Sequence, residues 1–517
     1  MALLVLALGI GFIILAIAVL KMHPFLALIL AAILTGLLSP VPLTSTVETR
    51  SEIQEEFRRL QDEREKGLLT QEEFDRLSQQ LPWELQDRWL AESNRSGGQA
   101  VLALELTATE FGSTAAAIGI VIVLAALIGQ CLMESGAADK ITRSLLRLVG
   151  EPRAPLALLG SGYILSVPIF FDTVFFLLIP LARALRMRTG KKYVLYVIAI
   201  ATGGVITHSL VPPTPGPLIM AETIPGLQLG TAIALGFLIG LVPALVGGYL
   251  YGSFVDRRLA IPFREVAGSS SEELEVIVQR PERELPGLIP SLMPIVLPVL
   301  LITGDTVLQS LNQAGVLAIS EEFLHLVAFL GNKNFALLVA AFLALWLLVS
   351  TRKLTLIELR ERMEPAVLSA GVIILITSAG GAFGRMLSRT GISAGLQDYI
   401  GETISQGFFL ILLAFGLSSL MKIAQGSGTV AMITSSAMIA AIIGSNDLPF
   451  HPIYIFAAIG FGSVVVSWMN DSAFWVVCKM SGFTERETLA TWTSALIVTG
   501  FIGLLEVLLL SALFPLI

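Results

Sequence analysis

The sequence is short of charge, cysteine and histidine. Only 14% of its 517 residues are charged, against 55% hydrophobic, and the mean hydropathy is +0.81. A soluble protein of this length could not hide so much apolar surface, whereas about 20 consecutive apolar residues suffice to cross a bilayer. The two cysteines, Cys131 and Cys478, lie in apolar surroundings and supply neither a disulfide framework nor a zinc site. No metal and no cofactor are expected. The alternating strands of a membrane β-barrel are missing as well. The first apolar run, 2–20, has no basic region before it and no small-residue cleavage site after it, so it reads as a retained helix and not a signal peptide. What is present is an all-α polytopic membrane protein.

Apolar segments run roughly over 2–20, 25–40, 115–134, 154–182, 193–226, 228–254, 286–304, 334–350, 366–388, 407–445, 453–478 and 489–514. Most basic residues outside one polar insertion gather in a few connections, around 140–153, 183–192, 257–283, 352–362 and 479–486. The positive-inside rule makes these cytoplasmic. Segment 154–182 then has basic flanks at both ends, yet its 29 residues are too few for two crossings of about 20 each. It is expected to be a re-entrant hairpin broken near "SVPIFFDT" (166–173). Segment 407–445, interrupted at "QGSG" (425–428), is expected to dip in from the opposite side, although its arms do not exclude a full double crossing. Three spans, a hairpin, a broken span and a final span thus occur twice with opposite orientation. That is the layout of inverted-repeat transporters, whose sites lie at the repeat interface. No convincing sequence identity links the halves.

Four interruptions carry polar residues at membrane depth. "SVPIFFDT" holds Pro168 and Asp172; "THSLVPPTPGP" holds His208, Ser209, Pro212, Pro213, Thr214, Pro215 and Pro217. "KIAQGSGTV" (422–430) holds Lys422, Gln425, Gly426, Ser427, Gly428 and Thr429, and "SWMNDSAFW" (467–475) holds Asn470, Asp471 and Ser472. Proline removes a backbone donor and breaks the helix. Irregular backbone in a membrane is tolerated only where protein or a water-filled cavity satisfies it. Half-helix N-termini offer free N–H groups and a positive dipole end to an anion. A charge at a helix centre costs about 2.5–3.5 kcal/mol on insertion scales, so Asp172, Lys422 and Asp471 are expected to be paired or used. Lys422 and the N–H groups around 425–429 suit a substrate carboxylate; His208, Asn470 and Ser472 suit hydroxyls; Asp172, His208 or Asp471 suits a coupled proton. The bland alternatives are a helix-to-helix hydrogen bond for His208 and a structural pairing of Asp172 or Asp471 with Lys422. Gly380 and Gly381 are expected to serve close helix packing.

These readings divide the chain into the first two spans (1–42), a polar insertion (43–112), the rest of an N-terminal repeat (113–254), a cytoplasmic linker (255–285) and a C-terminal inverted repeat (286–517). The insertion has 13 acidic and 8 basic residues between Glu48 and Arg95 and reads as an extracytoplasmic helical hairpin. Thr70 and Glu73 would form a capping box, and Trp83 and Trp89 would rest at the membrane interface. It lacks the spaced carboxylates of an EF-hand.

"THSLVPPTPGPL" resembles the signature of the gluconate permease family of proton symporters, a branch of the ion transporter superfamily. "FFDTVFFLLIPLA", "SAGGAFGRMLSRTGI", "KIAQGSGTVAMITSS" and "GFGSVVVSWMNDSAFW" follow in the same order. The resemblance covers roughly 1–42 and 113–517, and the polar insertion is foreign to it. It implies uptake of gluconate or a related sugar acid with protons across the cytoplasmic membrane. It also implies a scaffold and a transport domain containing the hairpins, in a homodimer moving as an elevator. Thr214 stands where relatives often show a second histidine, Asp172 where they often carry glutamate, and Trp468 where a histidine is frequent. These departures leave substrate identity and coupling ion open, with a sodium-coupled carboxylate carrier as the rival. An intramembrane aspartyl protease using Asp172 and Asp471 is a remote alternative that lacks the expected glycine-rich motif.

Overall fold

The computed structural model describes residues 2–39, 98–259, 261–264, 281–313, 316–317, 319–389, 407–443 and 448–516. The helical hairpin, Trp83 and Trp89 of the polar insertion lie outside the described residues. Every described element is helical, and eight stretches among the described residues are long and apolar enough to cross a membrane. The N-terminal part comprises α1 (Ala2–Ile14), α2 (Pro24–Leu37), α3 (Gly98–Ser135), α4 (Ala137–Val149), α5 (Ala154–Leu165), α6 (Phe171–Thr189), α7 (Tyr193–Leu210), α8 (Pro215–Thr223) and α9 (Leu229–Arg258). The C-terminal part comprises α10 (Leu288–Gln313), α11 (Glu321–Gly331), α12 (Lys333–Arg352), α13 (Leu356–Ser388), α14 (Phe408–Gln425), α15 (Gly428–Ile443), α16 (Ile453–Gly462), α17 (Ser472–Ser481) and α18 (Glu485–Leu513).

Helix α3 begins at Gly98, inside the stretch that reads from the sequence as insertion up to residue 112. Glu105 and Glu110 make that stretch look polar. Glu110, however, is almost fully buried and accepts from Arg385 at 3.0 Å and Arg389 at 2.5 Å, both from the end of α13. A carboxylate neutralised by arginines some 275 residues away lets the helix continue without an exposed charge.

The basic connections meet at one end of the molecule. Arg352 donates to the Glu134 carbonyl, and Arg362 pairs with the Glu134 carboxylate at 2.5 Å. Arg147 pairs with Glu282. Buried Arg183 donates to the Arg264 carbonyl at 2.8 Å and lies over the Phe263 ring, while Arg264 makes a bidentate pair with Glu487 at 2.6 and 2.8 Å. The opposite end is marked by α18, whose 29 residues extend about 44 Å at 1.5 Å per residue. Beyond it, the Pro515 carbonyl accepts from the His451 N–H at 2.8 Å, and the Phe514 carbonyl accepts from the Tyr454 hydroxyl.

Against these two ends the helix pairs fall into place. Helices α5 and α6 form a hairpin with both feet at the basic end: Arg188 pairs with Glu151, and Lys192 Nζ donates to the Pro152 carbonyl at 3.3 Å. Helices α14 and α15 form a second hairpin at the other end, where Gly407 lies against Pro449 and Phe450. Each is flanked by an interrupted helix. Helix α7 stops at Leu210 and resumes as α8 at Pro215; α16 stops at Gly462 and resumes as α17 at Ser472. The prolines explain the first break, since Pro215 and Pro217 have no N–H to donate back into α7 and instead start a new helix. Helices α5 and α7 approach closely through Gly162 and Gly203, where any Cβ would fall on the partner's backbone carbonyl. Gly380 and Gly381 do pack closely, against Ile433 and Thr114 respectively.

Candidate functional site

The tips of both hairpins and both breaks converge on one cavity of about 420 Å³. Its wall includes Phe170–Thr173 from the first tip, His208, Ser209 and Pro215 from the first break, Lys422 and Ser427–Val430 from the second tip, and Ser463, Val464 and Asp471–Ala473 from the second break. Helices α6, α8, α15 and α17 all begin here, so the positive ends of four helix dipoles point into one space.

The four ends differ in how many free donors they present. Helix α8 starts with Pro215 and Pro217, which leaves Gly216 as the donor of its first three residues. At α17 the Asp471 carboxylate caps the Ala473 N–H at 3.0 Å. At α15 the Ser427 hydroxyl accepts from Val430 at 3.3 Å, and the Gly428 and Thr429 N–H groups have no acceptor among the described residues. Phe170, which precedes α6, has no side chain able to cap it. Ends α15 and α6 are therefore the ones left open to an anion.

Lys422 is not free. Its Nζ donates to Asp471 Oδ2 at 2.6 Å and to the Gly426 carbonyl at 2.7 Å, and both charged side chains are only 6% exposed. The same carboxylate oxygen accepts from the Ser467 hydroxyl, which in turn accepts from Trp492 Nε1 at 2.8 Å. This chain of contacts ties the second hairpin tip to the second break and to α18. Asp172, in the first turn of α6, has no hydrogen-bond or ion-pair partner among the described residues. It is the unbalanced charge of the cavity. His208 faces the same space beside Phe170, with Nδ1 buried and unpartnered.

Several residues singled out from the sequence stand behind the wall and not on it. The Thr214 hydroxyl donates to the Val211 carbonyl at 2.7 Å and the His208 carbonyl at 3.0 Å, tying off the break. Asn470 donates from Nδ2 to the Ile423 carbonyl at 2.8 Å, and Trp468 donates to the same carbonyl at 3.0 Å. Gln425 is half-buried, with both side-chain polar atoms enclosed and unpartnered among the described residues, and Gly426 turns the tip at φ +81°. Pro168, Pro212 and Pro213 lie on a separate small apolar pocket against Pro294 and Pro298 of α10. Spacing locates a break but does not fix which way each side chain around it points.

Sequence reasoning also misses part of the wall. Ser369, Ile373, Ile376 and Thr377 of α13, with Trp492 and Leu496 of α18, complete it. Helix α18 carries a π-helical segment, Leu489–Thr493, around Trp492, but no proline or glycine marks it, so a search for breaks in the sequence passes over both helices. The available signal was the four-residue spacing of Ser369, Ile373 and Thr377, which shares one helix face.

Gly426 joins the tip to the second break. A Cβ there would collide with the Asn470 carbonyl, and the left-handed conformation alone costs a side chain about 1–2 kcal/mol. Gly426→Ala is expected to lower stability by about 2 kcal/mol or more and to weaken substrate binding, as read by thermal unfolding with and without ligand.

The sequence profile of the GntP family permeases matches residues 98–513. The chain is 30% identical to a gluconate permease of Pseudomonas aeruginosa over 404 residues, 78% of this chain and 86% of that protein. It is 35% identical to a Haemophilus influenzae permease (78% and 82% covered) and 28% identical to a low-affinity gluconate transporter of Escherichia coli K12 (76% and 84% covered). In three dimensions it is similar to the Neisseria gonorrhoeae MtrF structure, at TM-score 0.61 and 16% identity over 98% of this chain and 97% of that one. The Alcanivorax borkumensis YdaH transporter is also similar, at TM-score 0.55 and 17% identity over 80% and 90%. These relatives are permeases and not enzymes, which sets the protease reading aside. The chain belongs to the GntP family of permeases, as a multi-pass membrane transport protein.

Proposed function

We propose that the protein is a secondary active transporter that takes up gluconate or a related sugar acid by proton symport across the cytoplasmic membrane. The observation that carries this reading is the convergence of four helix N-termini on a cavity whose one unpaired charge is Asp172. Open N–H groups at Gly428 and Thr429 suit a carboxylate; His208, Ser209 and Ser472 suit a polyol chain. The volume lies within the range of small-molecule sites. The gluconate permeases among its relatives support the same substrate class.

Coupling follows from charge. An organic-acid anion and an ionised Asp172 in one poorly hydrated cavity repel each other, and a proton on Asp172 removes the repulsion. Proton and anion then bind better together than apart, and the coupling is reciprocal. In this reading the opposed hairpins are re-entrant arms of two inverted repeats, and the bundle holding the cavity moves against the rest of a homodimer to give alternating access. Uptake of labelled gluconate into proteoliposomes tests it: accumulation is expected under an inward proton gradient at equal sodium. Accumulation under a sodium gradient at constant pH, with none under the proton gradient, would sink proton coupling and favour the sodium-coupled rival.

A further inference from the structure

A second cleft, also about 420 Å³, lies at the basic end between α4 and α6, remote from the cavity. One wall is apolar: Leu146 of α4 faces Leu181, Ala184 and Leu185 of α6. The rim carries Arg143, Arg147 and Arg188. Leu148, which follows Arg147 on α4, is 82% exposed and, two residues from Leu146, points away from the cleft. An apolar wall beneath a rim of three arginines fits a site at the membrane interface.

The rim arginines are held by ion pairs. Arg143 pairs with Asp139 at 2.9 Å, Arg147 with Glu282, and Arg188 with Glu151, while Lys140 stands 3.9 Å from Glu282. Among the described residues, these four basic side chains meet Asp139, Glu151 and Glu282. Arg147, Arg188, Glu151 and Glu282 are all well exposed, so these pairs are weak and exchangeable. A phosphodiester carries one negative charge and presents oxygens that arginine binds bidentately.

We infer that this cleft binds an acidic phospholipid of the cytoplasmic leaflet, its phosphodiester held by Arg143, Arg147 and Arg188 and an acyl chain laid along Leu146, Leu181 and Leu185. Basic pockets between helices at the cytoplasmic side are suited to anionic headgroups, and the apolar wall selects a lipid over a free phosphate. The lipid would brace the link between α4 and the foot of the first hairpin, whose far end carries Asp172.

Thermal unfolding of the full chain in neutral detergent tests this, with phosphatidylglycerol, phosphatidylcholine or glycerol 3-phosphate added. Phosphatidylglycerol is expected to raise the unfolding temperature, and the other two are not. In the variant R143Q/R147Q/R188Q the phosphatidylglycerol needed for half the effect is expected to rise at least about tenfold. Should that variant fail to fold, Glu151→Gln/Glu282→Gln decides. It removes the competing carboxylates, so the lipid is expected to act at lower concentration. A full response to glycerol 3-phosphate would replace the lipid with a soluble phosphate ester. Equal stabilisation by phosphatidylcholine, an unchanged response in the triple arginine variant, or a weaker one in the double glutamate variant would overturn the site. None of these readouts depends on gluconate or protons, so the lipid site and the transport reading can fail separately.

Discussion

Lys422→Ala is expected to abolish gluconate uptake and to destabilise the folded protein by about 3–5 kcal/mol. Removing one partner of a buried ion pair leaves the other charge unpaired in a medium that solvates it poorly. Here the stranded group is Asp471, with both side chains only 6% exposed. The damage would not stay local, because Asp471 also accepts from Ser467, which links it to Trp492. Asp471→Ala is expected to act in the same direction. The double variant Lys422→Ala/Asp471→Ala removes both charges, so it is expected to regain much of the stability and none of the uptake. Thermal unfolding and proteoliposome uptake on the four proteins form a double-mutant cycle. Full uptake by Lys422→Ala would show that the pair plays no part in forming the cavity.

Asp172→Asn is expected to leave the fold and gluconate binding intact while removing proton-driven accumulation, lowering it by about 100-fold. Asparagine keeps the size of the side chain and cannot release a proton. Because Asp172 has no partner among the described residues, its replacement strands no buried charge, unlike that of Lys422. Gluconate binding by the variant is expected to lose the proton dependence that Asp172 is proposed to confer. Accumulation by Asp172→Asn at the native rate under a proton gradient would remove Asp172 from coupling. The remaining candidates would then be His208 and Asp471, on the same wall.

Much of this architecture is legible in the sequence because membrane insertion leaves few options. The basic flanks of 154–182 and its length predict a hairpin, and the contacts of Glu151 with Arg188 and of Pro152 with Lys192 bring its feet together. The prolines at 212–217 predict the first break, and the glycines at 426 and 428 predict the second tip. Asp172, His208, Ser209, Ser427, Gly428, Thr429 and Ser472 do share one cavity. What was not legible depends on partners far away in sequence. The pairing of Lys422 with Asp471, 49 residues on, is legible only as one alternative beside Asp172, and nothing near Glu110 announces Arg385. From the sequence Lys422 reads either as a cation for the substrate or as the partner of Asp172 or Asp471, and the structure pairs it with Asp471. Thr214 and Asn470 likewise read as ligands because they are polar and lie at breaks, yet Thr214 hydrogen-bonds to a carbonyl of its own break and Asn470 to the Ile423 carbonyl near the second hairpin tip. A broken helix needs such internal donors before it can offer any to a substrate.

The family relationship narrows the chemistry but does not replace the geometry. The solved structures similar to this chain are at 16–17% identity and speak to the fold. Within that fold, the open ends at α6 and α15 are what an anion would meet.

The most direct measurement is a structure determined with gluconate bound. The carboxylate is expected against the N–H groups of Gly428 and Thr429, with the hydroxylated chain extending toward His208 and Ser209. Gluconate bound outside this cavity, or turned so that its hydroxyls meet the start of α15 while its carboxylate lies elsewhere, would contradict anion capture by the converging helix ends.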